Sequence, residues 1–254
     1  MNKKSIGIYA LVLTLLTAVV GGLMRWYLLE NVMVERGIAQ AGSHFPLAMA
    51  IVVVACLIGI CVFTCYMENR PSYSDNFGNV TNRQLYAFLT LCGVCLALTG
   101  VLRLKQQQPA LETANFYMCI LGGVTFAVFA ILQMLGRRPH VLLLLPLCIF
   151  TLLQLVCDYR AWSGDPLMLD YCYTLLADVV SMLAIFQLGG FCFDKGKRRI
   201  TAFWCSCGVV LNAISLADAI HVNTLSDIAY RSAMTLLLLV LLYLFCTEAK
   251  KSEA

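Results

Sequence analysis

Asp178 is a carboxylate set inside a long apolar run, and a charged group in that position calls for a reason. If its helix starts near Leu169, Asp178 lies about 13 Å below the membrane interface, at ~1.5 Å per residue. An acid at that depth is costly unless it is paired, protonated or wet. Asp170, Tyr171, Thr174, Asp178 and Ser181 follow one another at helical spacing and so share a face. Two other runs carry matching stripes: Thr151, Gln154 and Asp158 on one, and Asn212, Ser215 and Asp218 on the other, with His221 one step further. Arg25, Arg103 and Arg160 stand at the corresponding ends of their own runs. Together these residues predict a polar cavity open to the outer side, lined by acids and rimmed by arginines. Its candidate residues are Asp158, Arg160, Asp170, Asp178, Asn212, Ser215 and Asp218, and its chemistry would be the binding of a cation, a proton or a small polar solute. A second reading stays open. Asp178 could pair with Arg160 or Arg103, or hydrogen-bond to Asn212, as glue between helices.

The elements that must position these residues are membrane spans. Hydrophobic residues make up 61% of the 254 and charged residues 13%, about half the charge of a soluble domain, so much of the surface must face lipid. A bilayer core takes about 20 apolar residues per helix. Runs of that kind fall at about 5–24, 46–67, 84–102, 115–136, 141–157, 170–193, 200–220 and 231–247. The fold class expected is all-α: one polytopic transmembrane bundle of eight spans over residues 1–254, built from helical hairpins. The stretch from Cys157 to Asp178 is then the outer turn after the fifth span and the opening of the sixth, which carries Asp178 down into the bilayer. The fifth and eighth runs are short, and Pro146 predicts a kink near the start of the fifth. The glycine pairs Gly21-Gly22, Gly122-Gly123 and Gly189-Gly190 mark places where helices approach closely.

Lysine and arginine set the expected sidedness. With both termini cytoplasmic, the inner segments carry Lys3, Lys4, Arg70, Arg83, Arg137, Arg138, Lys195, Lys197, Arg198, Arg199, Lys250 and Lys251, twelve in all. The outer segments carry six: Arg25, Arg36, Arg103, Lys105, Arg160 and Arg231. The spacing of Arg103 and Pro109 recurs in Arg160 and Pro166, a faint internal repeat of the kind found in duplicated carriers.

Several classes are excluded by what is missing. A net charge of +4 with no basic, aromatic-studded stripe gives no nucleic-acid face. The spans hold no lysine for a Schiff base and no ladder of arginines, and the chain has no HExxH, G-x-S-x-G or phosphate-loop motif, so no enzyme is expected. His44, His140 and His221 are far apart, and the 13 cysteines lie mostly inside apolar runs, so no metal or cofactor is expected. Cys157 and Cys172 flank the outer turn and would pair there if that side is oxidising.

The basic start, the eight short-looped spans and the run Asp158-Tyr-Arg-x-Trp162-x-x-Asp-Pro166 resemble uncharacterised multi-span membrane proteins of Firmicutes. The resemblance implies a bacterial plasma membrane and supplies no catalytic or binding residue. The function expected is a small-solute or ion transporter. The alternative is a non-catalytic membrane subunit, scaffold or sensor, whose Lys195–Arg199 loop docks a protein partner or anionic lipid.

Overall fold

Inside a bilayer the backbone has no water to bond, which leaves the helix as the way for an apolar run to cross. The computed structural model describes residues 3–35, 38–39, 43–77, 83–104, 109–164, 172–222 and 224–247, and each apolar run in it is a helix. These are α1 (Lys3–Tyr27), α2 (Phe45–Cys65), the short α3 (Tyr73–Phe77), α4 (Arg83–Leu104), α5 (Ala110–Met134), α6 (Leu145–Trp162), α7 (Cys172–Phe191), α8 (Arg198–Val222) and α9 (Leu225–Cys246). All but α3 are long and apolar enough to span a membrane, eight in number. A single π-helical turn, Leu28–Val32, extends α1, and a two-stranded ribbon, Met33–Glu35 against Ile38–Ala39, follows it. Large apolar side chains such as Leu23, Ile51, Leu98, Val124, Leu152 and Phe186 are exposed on the outside of the bundle, as a lipid-facing surface requires. The protein is an integral, all-α membrane bundle.

Prolines start helices here. Pro46 and Pro146 sit in the first turns of α2 and α6, where no N–H is missed. Pro146 therefore lies in the first turn of α6, behind a 3-10 turn, Val141–Leu143, that opens the span. That span also runs five residues past the predicted end at 157, and α9 begins six residues before the predicted 231. Within the spans, hydroxyls bond back to their own helix, Thr14 to the Ala10 carbonyl and Ser206 to that of Ala202, so they need no other partner.

Packing centres on α8, the most enclosed helix, which touches α1, α2, α7 and α9. Successive helices pack as hairpins, α4 on α5 and α8 on α9 most extensively. The α4–α5 crossing is a backbone contact. A Cβ added at Gly123 would lie 2.4 Å from the Ala97 nitrogen, while one at Gly122 would lie 3.0 Å from Cα of Leu147 on α6. The pair thus lets α5 touch both neighbours at once.

The end of the bundle that carries α3 is closed. Phe77 of α3 meets Phe191 of α7 and Phe245 of α9 edge-on, at 5.7 and 5.6 Å between ring centres, and those two stack at 5.2 Å. Asp194, left-handed at φ 54°, accepts the Tyr73 amide at 2.8 Å and pairs with Arg138 at 2.8 Å. Arg198 is buried and donates through Nε to the Phe245 carbonyl at 2.8 Å, and Arg199 donates to the carbonyl of Met67.

Candidate functional site: a charged cavity at the opposite end

Each helix that reaches the other end brings its polar stripe with it. Asp178 sits six residues past Cys172 on α7, and Arg231 six past Leu225 on α9, which puts both about 9 Å inside their helix ends at ~1.5 Å per residue. They meet as a bidentate ion pair. Arg231 donates to Asp178 through Nη1 at 2.5 Å and through Nη2 at 3.0 Å, and the two residues are 4% and 0% exposed. Tyr230 adds its hydroxyl to the same carboxylate at 3.0 Å. Asn212 accepts from Arg231 at 3.3 Å and donates to Ser181 at 2.9 Å. A buried charge left without partners carries a large penalty, and this set gives the Asp178 carboxylate three donors.

Gln154 of α6 joins that cluster to a second one. Its amide nitrogen donates to Asp158 at 2.8 Å, and its oxygen accepts from Arg103 and from Asn115, each at 2.8 Å. Arg103, near the end of α4, also donates to Asp227 at 2.6 Å, whose other oxygen accepts from Thr224 at 2.9 Å. Two guanidiniums approach the ring of Tyr230, Arg103 at 5.2 Å and Arg231 at 4.8 Å from its centre. Arg25 of α1 pairs with Asp218 of α8 at 2.8 Å.

Above the Asp178–Arg231 pair lies a cavity of about 220 Å³, lined by residues that include Arg103, Gln154, Asp158, Trp162, Thr174, Ser215, Asp218, Asp227 and Arg231. Asp158 faces it and is held unequally: Gln154 at 2.8 Å on one oxygen, Arg231 only at 3.5 Å on the other. Asp178 and Asn212 do not line it, since they lie behind Arg231.

The predicted residues therefore divide. Asp158, Ser215 and Asp218 come together at the cavity, and Asp178 and Asn212 form its support. Arg160 is exposed in the last turn of α6, where a cation suits the negative helix end, and it takes no part. Asp170 lies outside the described residues. The partner of Asp178 is neither Arg160 nor Arg103 but Arg231, which counting by loops assigns to the outer segment. Arg25 and Arg103 are buried ion-pair members and not a rim. The pairing of Cys157 with Cys172 is not realised, since Cys157 is a free thiol. Arg231, Tyr230 and Asp227 were missed because the eighth run was started too late. The spacing Thr224-x-x-Asp227, a helix-start pattern, would have placed its beginning at residue 225 and carried all three into the span.

Compared with protein-family models, with curated proteins and with solved structures, the chain matches none.

Proposed function

We propose that the protein is a small-solute or ion carrier of the plasma membrane, multi-pass with both termini cytoplasmic, and that the cavity is its outward-facing binding vestibule. One observation carries the reading. A bundle that needed only to be stable would fill its helix ends with apolar side chains, yet here four helices, α4, α6, α8 and α9, direct charged groups at a cavity of about 220 Å³. The closed aromatic end around Phe77, Phe191 and Phe245 supports it, because a carrier open on one side must be shut on the other. Asp158 is the carboxylate a solute meets, and Asp178 holds Arg231, and through it the cavity floor, in place. The sidedness draws support from the same pairs: with Arg25, Arg103 and Arg231 inside the bundle, the outer segments keep only Arg36, Lys105 and Arg160. A docking role for the Lys195–Arg199 loop is less favoured, since Arg198 and Arg199 are both engaged by backbone carbonyls.

The test is solute-driven current or uptake in proteoliposomes, screened over cationic, zwitterionic, neutral and anionic small solutes. A saturable signal that falls at least about tenfold in Asp158→Asn, with insertion unchanged, is expected. A signal indifferent to that substitution removes Asp158 from the mechanism. No signal for any class rejects carriage and leaves the scaffold or sensor role.

A further inference from the structure

We infer that the vestibule selects a small compound bearing a single primary ammonium group. The inference rests on the reading of this cavity as a binding vestibule and adds the class of ligand.

Charge comes first. Among the described residues the charged groups in and beneath the cavity are Arg25, Arg103 and Arg231 against Asp158, Asp178, Asp218 and Asp227, so with all ionised these acids exceed these guanidiniums by one. Each arginine already has a carboxylate partner, at 2.8, 2.6 and 2.5 Å. Among the described residues, the cations an entering anion would meet are already neutralised. A monocation would complete the charge count.

The second observation is Ser215. Its side chain is 2% exposed, it lines the cavity, and its hydroxyl has no hydrogen-bond partner among the described residues. Other buried hydroxyls in this bundle turn back to their own helix, as Thr14, Thr151 and Ser206 do. Ser215 has the same option and does not take it. A buried hydroxyl without a partner is costly, and one carried by a residue in the wall of a polar cavity is a hydrogen-bonding group left for a ligand there to satisfy. Asp158 supplies the charge beside it through the oxygen that Arg231 reaches only at 3.5 Å.

Size and shape narrow the cation. At roughly 30 Å³ per water the cavity has room for about seven, far more than one bare ion fills. Among the described residues no three His, Cys, Asp or Glu side chains converge to hold a metal. Quaternary ammonium groups are recognised by cages of aromatic rings, and of the two aromatic residues that line this cavity, Trp162 and Tyr230, the second already has the guanidiniums of Arg103 and Arg231 at 5.2 and 4.8 Å from its ring centre. A primary ammonium instead offers three N–H donors, which suits a carboxylate and a hydroxyl acceptor.

The experiment measures thermal unfolding of the purified full chain in detergent against four probes: ethanolamine, choline, ethylene glycol and glycolate. Ethanolamine is expected to raise the midpoint saturably, with choline at least about tenfold weaker and the neutral and anionic probes without effect. Asp158→Asn is expected to weaken ethanolamine at least about tenfold. Ser215→Ala is expected to weaken it by about tenfold without lowering the midpoint of the unliganded protein, because among the described residues the hydroxyl has no hydrogen-bond partner to lose. Equal stabilisation by glycolate or ethylene glycol, no response to ethanolamine, or a response that survives Asp158→Asn would overturn the inference. Uptake of labelled probes separates it from the carrier reading. Ethanolamine that binds but is not taken up rejects carriage and keeps the ammonium selectivity, whereas uptake of an anion or a neutral solute in place of it does the reverse.

Discussion

Truncating Arg231 strands Asp178 as a lone buried carboxylate, and the size of that loss follows from what the pair replaces. Breaking a buried ion pair from one side costs about 3–5 kcal/mol, whereas replacing both partners by apolar groups is close to neutral. Arg231→Leu is therefore expected to destabilise the protein by about that amount, and Asp178→Leu with Arg231→Leu to recover most of it. Thermal unfolding in detergent reads both, and a double variant no better than the single one would mean the pair contributes nothing as a pair. The sequence stripes placed Thr174, Asp178, Asn212, Ser215 and Asp218 on the right faces, because helical periodicity alone decides which residues of one helix lie together. Which cation meets Asp178 depends on the distance between α7 and α9, and no spacing along the chain encodes that. Arg160 lies nearer in sequence but on the exposed end of α6, and Arg231, 53 residues away, is the partner.

At the scale of elements, two features behave as separable units. The first is the α4–α5 crossing. Gly123→Ala must push Ala97 or Gly93 aside, since the new carbon would sit 2.4 Å from one backbone atom and 2.6 Å from another. A loss of about 1–3 kcal/mol is expected from such overpacking, again read by thermal unfolding, while Gly190→Ala, whose nearest neighbours stand at 3.6 Å, should cost far less. The second unit is the clasp that holds α3. The Tyr73 amide, and then Arg138, hold the Asp194 carboxyl below its ordinary value of 3.8. A folded-state value that is depressed gives stability that is present above the ordinary range and lost as pH falls through the lower one. The clasp is thus expected to stay shut at neutral and mildly acidic pH and to open only in stronger acid. Exchange of the Tyr73 amide, corrected for its intrinsic pH dependence, measures this, and Asp194→Asn should speed it at neutral pH. The eight spans were legible because hydropathy needs only composition and length. Helix α3 was not, since five residues, Tyr73–Phe77, give too short a window for periodicity and are held by contacts from α7 and α9.

For the whole molecule, eight spans leave both ends of the chain on one face, and the basic loops assign that face to the cytoplasm under the proposed topology. A reporter fused after the last helix should then fluoresce as a cytoplasmic protein and be inactive as an exported phosphatase; the opposite pattern would turn the cavity to the inside. The faint repeat of Arg103 in Arg160 does not extend to their surroundings, as one is buried in an ion pair and the other exposed.

The position of α9 in the chain has a consequence for biosynthesis. Arg103 of α4, Asp158 of α6 and Asp178 of α7 emerge from the ribosome well before Asp227, Tyr230 and Arg231, which complete them. Until those arrive, the earlier segments carry uncompensated ions that the translocon must tolerate or hold back. Integration of this chain is thus not a tally of independent insertions: a nascent product stopped after α8 would be left with three mismatched charges, a ready mark for membrane quality control.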